Sequence, residues 1–195
     1  MGTLSGKKLL AAGNKRGGRM GVRTLARATL FLLILITCAI CQAQSAEQKI
    51  KAAFLYHFCS YVQWPQHVAS DDHIDITIGV TGTLKTVRFI KDALETKSHN
   101  KCMFHVRAVK PSDNLGDIQI LYVTQKSRFS LNDFHSLEHA PPILTITDEE
   151  KNSNKSMINF VIRDDQVRFV ISKSRADQAG LKLSSELLAV ALQVN

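Results

Sequence analysis

The strongest constraint on the fold lies in the C-terminal third of the chain. Two runs of alternating apolar residues flank the polar segment Arg163–Gln166. The apolar positions are Ile158, Phe160 and Ile162 in the first run and Val167, Phe169 and Ile171 in the second. This period of two predicts a β-hairpin with one apolar face on each arm. Because such a face must be covered, the hairpin predicts a sheet that packs against a further layer.

Strand-like and helix-like segments alternate through the rest of the chain. The predicted strands before the hairpin are residues 74–80, 103–109, 118–123 and 143–147. The predicted helices are residues 47–63, 84–94 and 131–137 before the hairpin, and residues 174–179 and 184–193 after it. Nearly continuous apolar strands predict a sheet that is buried on both faces. The predicted fold class is therefore α/β, a three-layer α/β/α sandwich with a mainly parallel sheet and an antiparallel C-terminal hairpin at its edge.

The first 45 residues have the pattern of a secretory signal peptide. A basic segment precedes an apolar run at residues 28–41, and small residues follow within Ala43–Ala46. This succession predicts cleavage between Ser45 and Ala46, whether the chain starts at Met1 or at Met20. A retained membrane anchor is the alternative, although the run is shorter than the roughly 20 residues that span a bilayer. The predicted division is a signal peptide at residues 1–45 and one exported domain at residues 46–195.

Cleavage at this point changes the charge balance of the chain. All 17 acidic residues lie after Ser45, whereas seven of the 25 Lys and Arg residues lie before it. The exported domain then carries 18 basic and 17 acidic side chains, a net charge of +1 in place of +8. We therefore expect no nucleic-acid partner, since the basic segment is removed and the remaining charges are mixed.

The exported domain keeps two of the four cysteines, Cys59 and Cys102. An oxidising compartment favours a disulfide between two such residues. Two buried thiols, one in a helix and one at a strand edge, are the alternative. Cys38 and Cys41 leave with the predicted signal peptide, so their spacing does not indicate a redox site.

No motif in the chain predicts catalysis. His135, Glu138 and His139 have the spacing of a zinc-peptidase motif, but neither a third ligand nor a second glutamate-bearing helix is apparent. The segment Gly79–Thr86 is similar to a phosphate loop, but Leu84 stands where the second glycine is required. We therefore expect no metal, no cofactor and no enzymatic activity.

The predicted helix at residues 47–63 carries more apolar surface than one packing face requires. Its apolar residues cover more than the roughly 100° stripe of a one-sided amphipathic helix. We expect a partner interface that includes Phe54, Phe58, Tyr61 and Trp64. Full burial of this helix in the core of the domain is the alternative.

Several segments of the chain resemble the YfiR family of small periplasmic regulators. They are Lys51–Phe58, Trp64–Pro65, Ile76–Val80, Met157–Ile162, Val167–Phe169 and Ala179–Ser185. The resemblance spans nearly all of the predicted domain. The chain departs from the family pattern at Lys155–Ser156, where paired glycines are frequent, and at Ile118, where a cysteine is frequent.

The resemblance implies a non-enzymatic regulator in the periplasm. Members similar to YfiR bind the periplasmic domain of an inner-membrane diguanylate cyclase and repress it, and an outer-membrane lipoprotein sequesters them. By this resemblance the chain lowers the level of cyclic-di-GMP and so affects adhesion and biofilm formation. A homodimer is a further expectation. The alternative function is a periplasmic small-ligand-binding module, served by the strand-end loops at residues 79–83 and 147–153.

Overall fold

The structure is a computed structural model. It describes residues 27, 30, 46–65, 74–97, 102–125, 127, 131–133, 142–148 and 153–195. The chain divides into two compact units, Met1–Gln44 and Ser45–Asn195. Of the first unit only Arg27 and Leu30 are described, and both are helical and exposed. The sheet and the core belong to the second unit.

The described part of the second unit contains four α-helices and nine strands. In chain order they are α1 (46–61), β1 (Val62–Gln63), β2 (Ile74–Thr81), α2 (Leu84–Glu95), β3 (Cys102–Ala108), β4 (Ile120–Val123), β5 (Leu144–Thr147), β6 (Ile158–Arg163), β7 (Gln166–Ile171), α3 (Lys173–Gln178), β8 (Lys182–Leu183), α4 (Ser185–Val190) and β9 (Gln193–Val194). A 3₁₀ helix, Leu131–Asp133, lies between β4 and β5.

Seven of these strands form one sheet in the order β3-β2-β4-β5-β6-β7-β9. The pairs β2–β3, β2–β4, β4–β5 and β5–β6 are parallel, and the hairpin pair β6–β7 is antiparallel. The short strand β9 adds to the outer side of β7 in parallel. The prediction of an α/β fold with a mainly parallel sheet and an antiparallel C-terminal hairpin is confirmed, although β9 rather than the hairpin forms the edge.

The turn of the hairpin explains its register. Asp164 and Asp165 have φ angles of 50° and 56°, the left-handed conformation that both central residues of a type I′ turn require. Aspartate tolerates this conformation better than most residues because its short polar side chain bonds locally. The pairing places Phe160 opposite Phe169, so the apolar residues of both arms share one face, as predicted.

The first face of the sheet packs against all four described helices. One buried cluster contains Leu55 of α1, Ile90 of α2, Ala176 of α3 and Leu187 of α4. Aromatic rings fill its centre. The closest pairs of phenylalanine rings are Phe54–Phe169 at 5.2 Å, Phe58–Phe169 at 5.6 Å and Phe54–Phe160 at 5.9 Å between ring centroids. Such pairs stabilise a core beyond the area that they bury.

The second face of the sheet packs against a loop and the 3₁₀ helix. Its buried cluster joins Leu115 and Ile118 of the β3–β4 loop to Leu121 of β4 and to Leu131. Gly79 of β2 lies under this cluster, where a Cβ atom would stand 2.6 Å from a methyl group of Ile118. Both faces of the sheet are therefore covered, as the sandwich prediction requires. Residues 134–137 of the helix predicted at 131–137 lie outside the described residues.

Two predicted helix ends are wrong for the same reason: the last residues of each predicted helix form a short strand instead. The helix predicted to run to residue 63 ends at Tyr61, because Val62 and Gln63 pair with β8. The last helix, predicted to run to residue 193, ends at Val190, because Gln193 pairs with β7. Ser184 caps this helix as expected, since its hydroxyl accepts from the Leu187 amide at 3.2 Å.

Candidate functional site

Two segments that lie far apart in the sequence meet beside the end of α1. Strand β1 pairs with β8, and the Ser184 amide donates to the Tyr61 carbonyl at 2.9 Å. Gly180 has a φ angle of 75°, and a Cβ atom there would lie 3.6 Å from the Pro65 ring. The chain from Tyr61 to Pro65 is therefore held against the segment that follows α3.

Trp64 ties the same segment to the sheet. Its indole Nε1 donates to the Gln119 carbonyl at 3.3 Å, directly before β4. The Gln119 side chain in turn accepts from the Thr77 amide of β2 at 2.7 Å. Because its N–H group is satisfied, the half-buried indole ring keeps a fixed position at the surface.

The four residues predicted to form a partner interface differ in exposure. Phe58 is only 1% exposed and stacks on Phe160 at 6.2 Å between ring centroids. Phe54, Tyr61 and Trp64 are half-buried and pack against the same core. Phe58 is therefore a core residue, and the surface that is left for a partner is narrower than the four residues suggested.

The outward side of α1 combines apolar and polar residues. Ile50 is 43% exposed, His57 and Ser60 are exposed, and Tyr61 is half-buried beside them. These four positions follow helical spacing and lie on one side of the helix. We call them the outer stripe. Trp64 follows the end of the helix, and its half-buried ring adds a second aromatic group to the one at Tyr61.

A buried ion pair holds the inner side of α1. Lys51 is 7% exposed, and its Nζ atom lies 2.7 Å from Asp148 Oδ2 and 2.5 Å from Glu47 Oε1. Asp148 directly follows β5 and also accepts from the Tyr122 hydroxyl at 2.8 Å and from the Gln125 amide. These contacts join α1 to the carboxyl ends of β4 and β5. No local sequence pattern indicates this group of residues.

Burial raises the pKa of the Tyr122 hydroxyl well above its ordinary value, and the negative charge of Asp148 raises it further. The folded protein therefore holds this proton more tightly than the unfolded chain does. The resulting contribution to stability is complete below about pH 10, the ordinary pKa of tyrosine, and is lost as the pH rises toward the folded-state pKa.

We expect the melting temperature of the wild-type protein to fall more steeply above about pH 10 than that of Tyr122→Phe. Phenylalanine keeps the ring in the core and removes the proton that unfolding releases. Thermal melts of both proteins between neutral and alkaline pH measure the difference, because all other titrating groups are shared. Parallel melting curves across this range would contradict a raised pKa.

Cys59 is buried on α1 and is disulfide-bonded. The side chain of Cys102, its predicted partner, lies outside the described residues. The pairing of Cys59 with Cys102 therefore stays a prediction.

Neither sequence motif for metal or phosphate binding gains support. The residues His135, Glu138 and His139 lie outside the described part of the chain. In the described part, no three His, Cys, Asp or Glu side chains are grouped to hold a metal ion. The Gly79–Thr86 segment forms an ordinary strand-to-helix turn, in which the Thr83 hydroxyl caps α2 by accepting from the Thr86 amide at 3.2 Å. Because Gly79 is buried within β2, the loop expected at residues 79–83 is shorter than the sequence suggested.

The mixed sheet, with helices packed on its first face, defines a small α/β domain. A family model described as DUF4154, YfiR/HmsC-like, matches residues 48–192. Because this match covers most of the chain, the protein belongs to the YfiR/HmsC-like family. A search of curated proteins found no match.

The family consists of regulatory, non-catalytic proteins of the periplasm that act in cyclic-di-GMP signalling. The matched residues include nearly all of α1, the seven-stranded sheet without its last strand β9, and the β1–β8 pair. Within the described ranges, no helix has both the length and the apolar character that crossing a bilayer requires.

Proposed function

We propose that this protein binds the periplasmic domain of an inner-membrane diguanylate cyclase and represses that enzyme, which lowers the level of cyclic-di-GMP. An outer-membrane lipoprotein would sequester the protein and relieve the repression. Membership of the YfiR/HmsC-like family supports this role. The observation that carries it is the set of partly exposed apolar and aromatic side chains of the outer stripe and Trp64, with Ile50 near the start of α1, Tyr61 at its end and Trp64 just after it. Aromatic side chains of this kind dominate the energetics of protein interfaces.

The position of this surface favours binding because the surrounding contacts keep it rigid. The Lys51–Asp148 ion pair holds the start of α1, and the Trp64–Gln119 hydrogen bond holds the segment after it. The β1–β8 pair fixes the residues between α1 and Trp64. A partner that binds a preorganised surface loses less conformational entropy, so more of the contact free energy appears as affinity.

We propose that a signal peptide at residues 1–45 directs export and is cleaved between Ser45 and Ala46. The boundary between the two compact units, at Gln44 and Ser45, supports a division of the chain at this point. We expect the intact mass of the periplasmic protein to equal that of residues 46–195. A mass that includes the apolar run at residues 28–41 would show that the segment is retained as an anchor.

Tyr61→Ala should weaken binding to the cyclase by about tenfold or more, because truncating a hot-spot tyrosine costs about 2 kcal/mol or more and about 1.4 kcal/mol corresponds to a tenfold change in Kd. The melting temperature should change little, since Tyr61 is only half-buried. Pull-down of the cyclase from solubilised membranes measures binding, and thermal denaturation measures stability. Arg88→Ala, on the exposed side of α2, is the control and should leave both unchanged.

Two other outcomes have distinct meanings. A large loss of stability with unaltered binding would place Tyr61 in the core and exclude the outer stripe from the interface. Loss of self-association in size-exclusion chromatography, with cyclase binding intact, would assign the stripe to a homodimer instead.

A further inference from the structure

Strand β3 forms one of the two edges of the seven-stranded sheet. All seven of its residues pair with β2, and in the described part of the chain no strand pairs with its other side. The opposite edge is the much shorter β9, which has two residues. An open edge strand presents N–H and C=O groups that can pair with a strand of another chain. The β3 edge is therefore a place at which strand addition is geometrically possible.

The backbone of β3 directs alternate residues toward this edge. The Val106 amide donates to Oε1 of Glu95, the last residue of α2, at 3.1 Å, so it points away from β2. Because the direction of the backbone groups alternates along a strand, the N–H and C=O groups of Phe104 and Ala108 point the same way. Three residues of β3 thus offer backbone groups to the edge, and the Glu95 side chain covers the central amide.

Glu95 is an unfavourable residue for its position in the helix. The carboxyl end of a helix carries a partial negative charge, which repels a carboxylate. The last turn of α2 contains no basic residue, although Lys91 Nζ, one turn earlier, lies 3.7 Å from the second carboxylate oxygen of Glu95. A residue that breaks a local rule is expected where it has a separate role. The contact that distinguishes Glu95 is its hydrogen bond to the β3 edge.

The other side chains of β3 would allow two copies of this edge to meet. Arg107 pairs with Asp117 of its own domain at 2.7 Å, so its charge is already balanced. Met103 is 40% exposed and would be covered by a neighbouring strand. An antiparallel pair of β3 strands is self-complementary, because a twofold axis brings the same backbone groups of both copies together. A second copy of the chain therefore fits this edge.

We propose that the β3 edge can bind a second copy of this chain and that Glu95 keeps the edge closed. The carboxylate occupies the Val106 amide, which an incoming strand needs as a donor. Pairing of two β3 edges breaks this hydrogen bond in both copies and brings their two Glu95 charges into one interface, where like charges are unfavourable. The inference does not depend on the partner surface proposed above.

Analytical ultracentrifugation of the purified protein and of three variants tests the proposal. Glu95→Ala should form a species of twice the wild-type mass, at concentrations at least about tenfold lower than the wild type requires, because the edge loses its cap and its charge. Glu95→Gln keeps an acceptor for the Val106 amide and should show a smaller change. Asp92→Ala removes an exposed acid of the same helix, and this matched control should behave as the wild type does.

The position of the contact has its own variant. Adding Met103→Lys to Glu95→Ala places a lysine of each copy at the paired edge and should return association to the wild-type level. Hydrogen exchange of the Val106 amide in dilute protein should be faster in Glu95→Ala than in the wild type, and an unchanged melting temperature shows that the variant is folded. Equal self-association of wild type and Glu95→Ala, or equal exchange of the Val106 amide, would overturn the proposal. Association of Glu95→Ala that Met103→Lys leaves intact would overturn β3 as the contact.

Discussion

Replacing Lys51 with methionine should lower the free energy of unfolding by about 3 kcal/mol. The side chains of Lys51 and Asp148 are 8% and 10% exposed, so both charges are largely removed from water. Methionine fills a similar volume but leaves the Asp148 carboxylate without its cation. Removing one member of a buried pair costs more than the pair contributes, because the other charge stays buried without compensation. Urea denaturation of the wild type and the variant measures this loss.

The matched control is Lys49→Met, since Lys49 is exposed on the same helix. This change should alter stability by no more than about 0.5 kcal/mol. The double variant Lys51→Met with Asp148→Asn should recover part of the loss, because no unpaired charge remains. A loss in Lys51→Met no larger than in the control would contradict a buried pair, and strictly additive losses would show that the two side chains do not interact.

Glu47 should contribute far less than Asp148 to the stability gained from the Lys51 ion pair. It lies 2.5 Å from the Lys51 Nζ atom, but its side chain is 38% exposed, so water screens the interaction. Glu47→Gln should therefore cost far less than Asp148→Asn. The difference between the two acids matters for function, because Asp148 is the one that links α1, and with it the outer stripe, to the sheet.

The hairpin and the parallel strands were predictable because their signals are local. A period of two with a polar break at Arg163–Gln166 has few alternatives to a hairpin, and apolar runs such as Ile118–Val123 are typical of buried parallel strands. The β1–β8 pair carries no such signal. Strands of two residues show no periodicity, and Val62 meets Leu183 only because the tertiary fold brings them together.

The polar sites also depend on tertiary contacts and therefore leave no local signal in the sequence. Lys51 lies within an apolar helix stripe, where a lysine ordinarily extends its charged end to solvent. Its burial depends on Asp148, which is distant in the sequence and follows a different strand. Asn159 occupies a position that the hairpin alternation alone assigns to solvent. It lines a hollow together with residues of the preceding loop and of the C-terminus, an arrangement that the alternation pattern does not encode.

Cys59 and Cys102 should form one disulfide, and its loss should lower the free energy of unfolding by about 3 kcal/mol or more. Tyr56 of α1 packs on Phe104 of β3 at 5.4 Å between ring centroids. Cys59 follows Tyr56 by about one helical turn, and position 102 precedes Phe104 by two residues, on the same strand face. The backbone thus brings the two positions to the same contact between α1 and β3. Closing a loop of about 40 residues restricts the unfolded chain strongly, which accounts for the size of the effect.

Peptide mapping without reductant should recover a single linked pair of peptides that contains Cys59 and Cys102. Urea denaturation of three variants then tests the shared bond. Cys59→Ala, Cys102→Ala and the double variant should lose similar amounts of stability, because each lacks the same covalent link. A linked peptide that joins Cys59 to a different cysteine would refute the pairing. Losses that add in the double variant would show that the two cysteines contribute independently, through packing rather than through a common disulfide.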